Sequence, residues 1–367
     1  MTLRKVVLQI HLYLGLAAGI FLVILGLTGS IMAFEGDIDH WLHPELWYVT
    51  PGPRPLPEND LISTVQNRFP GARVLAVQFF RAPNLAQLMQ LTDGTAVYIN
   101  PYDAAVLGDA VGLSTSDRAL GYIHQLHLRL VPDPRSAPKL AAAGKIVVSF
   151  AGLFLCLLVP TGVTLWWRTK RTSINWKTAV WKQPWFRVCF DAHHLIGIYA
   201  SLFLWIAAFT GIMIGFDFGE TTFYRITRSS RPARPQSFAS VPIPGADPIM
   251  ADQVLGIARG AMPNATPAVL VLPVRKAGSF TVLMRVPEET SEAVHSSVTI
   301  DQYSGKVLSV RSYLKDSTGY RWIRFNRSIH TGDVFGLPTH ILFSLSSLLL
   351  VAMVITGFVI WWKKLAI

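Results

Sequence analysis

Two of the ten histidines in this chain stand in matching surroundings. His11 is followed four residues later by Gly15, and His193 four residues later by Gly197. Residues four apart share one face of a helix. An imidazole with a glycine one turn beyond it offers a ligand nitrogen beside a patch free of side chains. A porphyrin needs such a patch to approach a helix closely. Gly19 extends the patch by one more turn. His194 has Ile198 at the same interval, so His193 is the preferred ligand and His194 its rival. A second pair is His127, in Leu126-His127-Leu128, and His330, in Ile329-His330-Thr331-Gly332, with His124 and His340 as rivals. Imidazole also binds zinc, copper and nickel. No cysteine or carboxylate recurs with these histidines at matching positions, however. Two histidines per site suit the axial ligation of b-type haem better than tetrahedral zinc. Arg129, Arg321, Arg324 and Arg327 lie near the second pair and are candidates for pairing with propionates or with lipid headgroups.

The elements that carry these residues come in two copies. His11 precedes Gly29, in Leu-Thr-Gly, by eighteen residues, and His193 precedes Gly211, in Phe-Thr-Gly, by the same interval. Each of these apolar runs is followed by a polar stretch and then by a run ending Thr-Gly-x-x-x-Trp-Trp. The first such ending is Thr161 to Trp167 and the second is Thr356 to Trp362. A single histidine at membrane depth is more often held by a backbone partner than by iron. Its recurrence in a duplicated unit argues for a shared ligand.

Hydrophobic residues make up 51% of the 367 and charged ones 15%, which excludes an ordinary soluble domain. The apolar residues gather in Leu12–Phe34, Ile146–Trp167, Leu195–Phe216 and Ile341–Trp362. Each run exceeds the roughly 20 residues that cross a bilayer. The expected class is a membrane α-helical four-helix bundle with two extracytoplasmic α+β domains. The expected segments are helix 1 within 1–34, an outer domain over 35–140, helix 2 within 141–167 and a basic loop over 168–192. Helix 3 within 193–216, a second outer domain over 217–338 and helix 4 within 339–367 complete the chain. The first run lacks a cleavage site and is read as an anchor. Arg4 and Lys5 precede it, and Arg168, Lys170, Arg171, Lys177, Lys182 and Arg187 fill the short loop. Lys363 and Lys364 follow the last run. The positive-inside rule then puts both termini and the loop in the cytoplasm. The net charge of +11 reflects this topogenic excess; no nucleic-acid motif accompanies it. Cys156 and Cys189 lie in or beside apolar runs, so no disulfide framework is expected outside. The lack of Cys-x-x-Cys-His excludes covalent c-type haem.

Both outer segments read as one helix on a short antiparallel sheet. The first has a helix near 57–69 and strand-like runs near 72–80, 86–92 and 95–100, with a hairpin signal at Thr92-Asp93-Gly94-Thr95. The second has a helix near 248–262 and runs near 267–273, 279–286 and 294–300. It closes on Asp301-Gln302-Tyr303-Ser304-Gly305-Lys306-Val307, which is similar to the closing turn of PepSY domains. The first copy has Asp103-Ala104 where the second has Ser304-Gly305. Pro-rich linkers, Pro51–Pro57 and Ser229–Pro248, flank them. Neither domain shows a catalytic pair or metal-ligand spacing, so a spacing module and a substrate-binding one are equally open.

Taken together, Gln9-Ile10-His11-Leu12-Tyr13-Leu14-Gly15-Leu16, Leu126-His127, Asp191-Ala192-His193-His194-Leu195-Ile196-Gly197 and Ile329-His330-Thr331-Gly332 resemble the PepSY-associated transmembrane family over almost the whole chain. A characterised branch of that family comprises bacterial inner-membrane siderophore reductases. The resemblance implies a bundle holding two b-type haems across the inner membrane. His11 and His193 would hold the cytoplasmic-side haem, and His127 and His330 the outer one. It further implies electron transfer from a donor on the cytoplasmic or membrane side to an acceptor outside, a ferric siderophore being the candidate substrate. Reduction would release Fe(II). A non-enzymatic PepSY sensor or protease modulator and a quinone-linked cytochrome b are the alternatives. A transporter is disfavoured, since the spans carry no charged or broken midplane segments.

Overall fold

The computed structural model describes residues 2–109, 115–167, 185–231, 238–287 and 296–365. Most of the basic loop, with Arg168, Lys170, Arg171, Lys177 and Lys182, lies outside the described residues, as does part of the Ser229–Pro248 linker. The described helices are α1 (Leu3–Met32), α2 (Glu35–Leu42), α3 (Pro44–Trp47), α4 (Glu58–Arg68), α5 (Thr115–Arg129), α6 (Pro138–Trp167), α7 (Trp185–Gly215), α8 (Asp217–Ile226), α9 (Ala251–Ala261), α10 (Thr318–Thr331) and α11 (Leu337–Leu365). The strands are β1 (Val74–Gln78), β2 (Gln87–Leu91), β3 (Ala96–Ile99), β4 (Val106–Asp109), β5 (Thr266–Val271), β6 (Ser279–Arg285), β7 (Ser296–Asp301) and β8 (Val307–Arg311). The chain forms two compact units, one of residues 1–35, 118–229 and 318–367, the other of 36–117 and 230–317.

In the first unit α1, α6, α7 and α11 are long and apolar enough to cross a membrane. They close a ring: α1 packs on α6 and α11, and α7 packs on the same two. Helices α1 and α7 therefore face each other across the centre. Neighbours run antiparallel; Gly19 of α1 meets Val354 and Gly26 meets Ser347 of α11. A Cβ at Gly26 would approach the Ser347 carbonyl to 2.6 Å, so the glycine is what lets these two backbones close up. Ala18, Leu22, Ala151, Leu155, Ala200 and Leu204 fill the centre.

These helices outrun the apolar runs. Helix α1 starts at Leu3 rather than near Leu12, and α7 at Trp185 rather than near Leu195. Hydropathy marks only the window that suits hydrocarbon, whereas a helix continues for as long as its backbone bonds are satisfied. His11 and His193 consequently sit inside their helices, each at the ninth residue, and not at the helix starts. His127 and His330 lie on separate short helices, α5 and α10.

The second unit holds one eight-stranded antiparallel sheet in the order β4-β3-β2-β1-β5-β6-β7-β8. The two outer segments, expected as separate domains, are joined where β1 pairs with β5 through Ala76↔Val271, Val77↔Leu270 and Gln78↔Val269. Each half also gains a fourth strand, β4 or β8, that the runs did not include. Alternation gives the sheet one buried inner face: Phe280, Val282 and Met284 of β6 are buried in turn. Helices α4 and α9 cover that face with Leu61, Val65, Val254 and Ala258.

The two helices cap one another. Asp252 Oδ1 accepts the Glu58 N–H at 2.9 Å and its Oδ2 the Asn59 N–H at 3.1 Å, while Asn59 Oδ1 accepts the Ala251 N–H at 2.7 Å. Free amides at both N-termini are thus satisfied by the other helix. The closing turns match as well. Asp301 Oδ1 accepts the Tyr303 and Ser304 amides at 3.0 and 2.9 Å. Burial opposes charge on Asp301, yet these amides, with Val241, hold its carboxyl at about 2. In the other half Asn100 Oδ1 accepts the Tyr102 amide at 3.0 Å, and Ala104 takes φ +59° where Gly305 takes +70°.

Candidate functional site

Each of the four spans carries one Thr-Gly pair, and each pair meets one histidine. The threonine hydroxyl first bonds back to its own helix, as such residues do. Thr28 Oγ1 donates to Ile24 O at 2.7 Å, Thr161 to Leu158 O at 2.8 Å, Thr210 to Ile206 O at 2.7 Å and Thr356 to Ala352 O at 2.7 Å. Its hydrogen is spent there, and its remaining lone pairs can only accept. His11 Nδ1 lies 3.0 Å from Thr161 Oγ1 and 3.1 Å from Leu158 O. His193 Nδ1 lies 3.0 Å from Thr356 Oγ1 and 3.0 Å from Met353 O. His330 Nδ1 lies 3.0 Å from Thr210 Oγ1 and 3.0 Å from Ala207 O. His127 Nδ1 lies 2.9 Å from Thr28 Oγ1, and its ring also bonds the Leu25 backbone.

The tautomer follows from these partners. Facing only acceptors, each Nδ1 must carry the proton, which leaves the Nε2 lone pair free. That is the form in which a neutral histidine ligates a metal, with the other nitrogen bonded to a backbone carbonyl. The glycine beside each threonine makes room for the ring. A Cβ there would come within 3.0 Å of His11 Cε1 at Gly162, 3.0 Å of His127 at Gly29, 3.1 Å of His330 at Gly211 and 3.2 Å of His193 at Gly357.

The four rings form two pairs. His11 and His193 have centroids 6.4 Å apart, and so do His127 and His330. A metal–imidazole bond of about 2 Å on each side, plus two ring radii of roughly 1.2 Å, predicts a spacing of about 6.4 Å for a shared ion. Thr28 follows His11 by seventeen residues on α1. The pairs therefore stand roughly 25 Å apart along the bundle.

A cavity of about 1010 Å³ adjoins the first pair. His11, His193, Gly15, Gly19 and Gly197 line it, and Arg4 and Lys5 stand at its wall. A Cβ at Gly15 would have Leu158 Cδ2 as its nearest neighbour at 3.8 Å, whereas Met353 Cε stands 3.1 Å from that point at Gly197 and Val354 Cγ1 3.2 Å at Gly19, so side chains of a neighbouring span reach the wall at the last two. Apolar walls with a few placed polar groups are what cofactor sites offer. Among the described residues no three His, Cys, Asp or Glu side chains converge as a cation cage would require. Two imidazoles with centroids 6.4 Å apart, beside a space of this size, would suit a planar macrocycle that brings its own equatorial ligands.

The rival histidines are differently employed. His194 also lines the cavity, but its Nδ1 bonds Phe190 O of its own helix at 2.8 Å. His124 pairs with Glu35 at 2.9 Å and His340 with Asp333 at 2.9 Å. None of the three meets a Thr-Gly pair. Of the arginines near the outer pair, Arg324 lies over Tyr320 and donates to its hydroxyl at 2.8 Å. The repeated Thr-Gly is legible in the sequence as a landmark of the repeat; its part in holding the histidines is not, because each contact joins residues 99 to 163 positions apart.

The family model for the PepSY-associated TM region matches residues 8–364. No curated protein matches the chain.

Proposed function

The chain belongs to the PepSY-associated TM family and is a membrane protein, and from that premise we propose that it passes electrons across the membrane through two b-type haems. One haem is held by His11 and His193, the other by His127 and His330. The observation that carries this reading is the pair of imidazole pairs, each at 6.4 Å, whose Nδ1 atoms are tied to threonines of neighbouring helices. When bound, haem supplies a one-electron Fe(III)/Fe(II) couple whose potential the ligands and burial tune. The chain's own residues hold and orient. The Thr-Gly pairs fix the rings, Gly15 and Gly197 stand in the cavity wall, and the apolar spans keep water out.

The basic loop and the termini support a reading in which the His11–His193 end lies on the cytoplasmic side of a bacterial inner membrane. The His127–His330 end then faces outward, and the two halves of the chain are read as copies of one ancestral unit. Electrons enter from a donor on the cytoplasmic or membrane side. They leave to a ferric siderophore, whose iron gains one electron and, as Fe(II), is released from its hard oxygen ligands. The purified protein is expected to show reduced-minus-oxidised Soret and α bands, with a pyridine haemochrome count near two per chain. Dithionite-reduced protein, kept anaerobic, is expected to be reoxidised by ferric siderophores with Fe(II) captured by a ferrous chelator. A colourless protein from a haem-replete host rejects the haems. Haems that stay reduced with ferric chelates but are oxidised by quinones replace siderophore reduction with quinone-linked electron transfer.

A further inference from the structure

The threonines that meet the histidines do more than fill space. A packing role alone would be served equally by valine, which has the same shape and prefers membrane interiors. Yet all four positions carry a hydroxyl, and all four hydroxyl oxygens lie 2.9–3.0 Å from an Nδ1 on another helix. Each hydroxyl hydrogen is committed within its own helix, so the contact is an imidazole N–H donated to oxygen in every case. At His11, His193 and His330 that N–H is shared with a backbone carbonyl at 3.0–3.1 Å. Two acceptors on one N–H restrict the rotation of the ring about its own bond. They also draw the proton away from the ring and make Nε2 a more basic ligand.

We propose that Thr28, Thr161, Thr210 and Thr356 are positioning residues that lock each histidine in its ligating tautomer and lower the potential of the iron it holds. The proposal rests on the haem reading above. A more basic imidazole favours ferric over ferrous iron, since the higher charge gains more from a better donor. Thr161 and Thr356 act on the first pair, and Thr28 and Thr210 on the second. Each pair of threonines therefore tunes one centre and leaves the other alone.

Redox titration of the holoprotein tests this, with Thr161→Val and Thr210→Val each compared with the serine variant at the same position. Valine is expected to raise the midpoint of one haem, to alter the ferric low-spin resonance of that haem, and to leave the other unchanged. Serine keeps the acceptor and is expected to restore both readings. Loss of one haem in the valine variant with retention in the serine variant also supports the role. Unshifted midpoints and ferric spectra at two haems per chain overturn it, as does equal loss of haem in valine and serine variants, which marks a packing role. A wild-type protein without haem fails the electron-transfer reading itself. Nitrogen-15 spectra of the haem-free chain then still read the bond: the Nδ1–H tautomer is expected in wild type and, with the Leu158 and Ala207 carbonyls kept, in the valine variants too, but with a shifted Nδ1 resonance that serine restores, and an unshifted resonance overturns the role. A mixture already present in wild type overturns the tautomer lock.

Discussion

The His11 ring lies edge-on to Gly162, so that a Cβ on that glycine would stand 3.0 Å from His11 Cε1. Contacts that short force a neighbour to move, and the ring is held by two bonds that resist the motion. Gly162→Ala is expected to weaken the haem of the His11–His193 pair and shift its spectrum, and Gly162→Leu to remove it. The other haem should be unaffected. Haem counts and difference spectra of the two variants check this; unchanged spectra in Gly162→Leu would show that the ring does not ligate.

The histidine assignments separate cleanly by substitution. His11→Ala is expected to remove one haem and His330→Ala the other. His194→Ala is expected to retain both, because His194 bonds only within its own helix and meets no Thr-Gly pair of a neighbouring span. If His11→Ala and His330→Ala removed the same haem, the pairing given above would be wrong.

Gly15 and Gly197 test the cavity wall. The nearest atom to a Cβ at Gly15 is Leu158 Cδ2 at 3.8 Å, and at Gly197 the mobile Met353 Cε at 3.1 Å. Alanine is therefore expected to be mild at both. Leucine would occupy the cavity and is expected to lower haem content. Were the glycines needed only for helix packing, leucine would reduce the yield of folded protein at unchanged haem stoichiometry.

Glu58 gives the sheet unit a dependence on pH. It is 5% exposed, and its Oε1 has no hydrogen-bond partner among the described residues. Burial, aided by Asp252 and opposed by the Gln87 bond and Arg259, pushes its carboxyl up to about 7. A folded value raised above the unfolded one means that the native state binds the extra proton. Its stabilising effect is complete below about 4.5 and is lost as pH rises towards 7. A shift of this size corresponds to about 3 kcal/mol. Thermal unfolding of wild type and Glu58→Gln between pH 5 and 8, with ~1 unit steps, reads this. The Gln variant is expected to be flatter with pH and more stable at the alkaline end. Parallel pH profiles would show that Glu58 does not titrate there.

Ala104 and Gly305 occupy the same place in the two closing turns, at φ +59° and +70°. A left-handed conformation costs a residue with a Cβ roughly 1–2 kcal/mol. Ala104→Gly is expected to stabilise the sheet unit by up to ~1 kcal/mol after the entropy of the freer unfolded chain is counted, and Gly305→Ala to destabilise it by a similar amount. Denaturant midpoints would measure both; an Ala104→Gly protein less stable than wild type contradicts the turn as described.

The spans, the helices over 58–68 and 251–261, and six of the eight strands follow from local patterns: apolar length, period-two alternation and turn residues. So does the singling out of His11 and His193, which stand at matching intervals from Gly29 and Gly211; His127 and His330, 35 and 27 residues before Gly162 and Gly357, stand out only as histidines preceding an apolar run. What determined the rest is long-range. The β1–β5 seam joins residues nearly two hundred positions apart, and no periodicity in either strand states which edge it will meet. The extra strands β4 and β8 are short and form only because a tight turn lays them against β3 and β7. The tie between each histidine and a Thr-Gly pair exists only once the spans close their ring. Sequence alone thus determined which residue types stand at which depth. Packing decided which nitrogen carries the proton and which rings face each other, since both depend on acceptors supplied by a different helix.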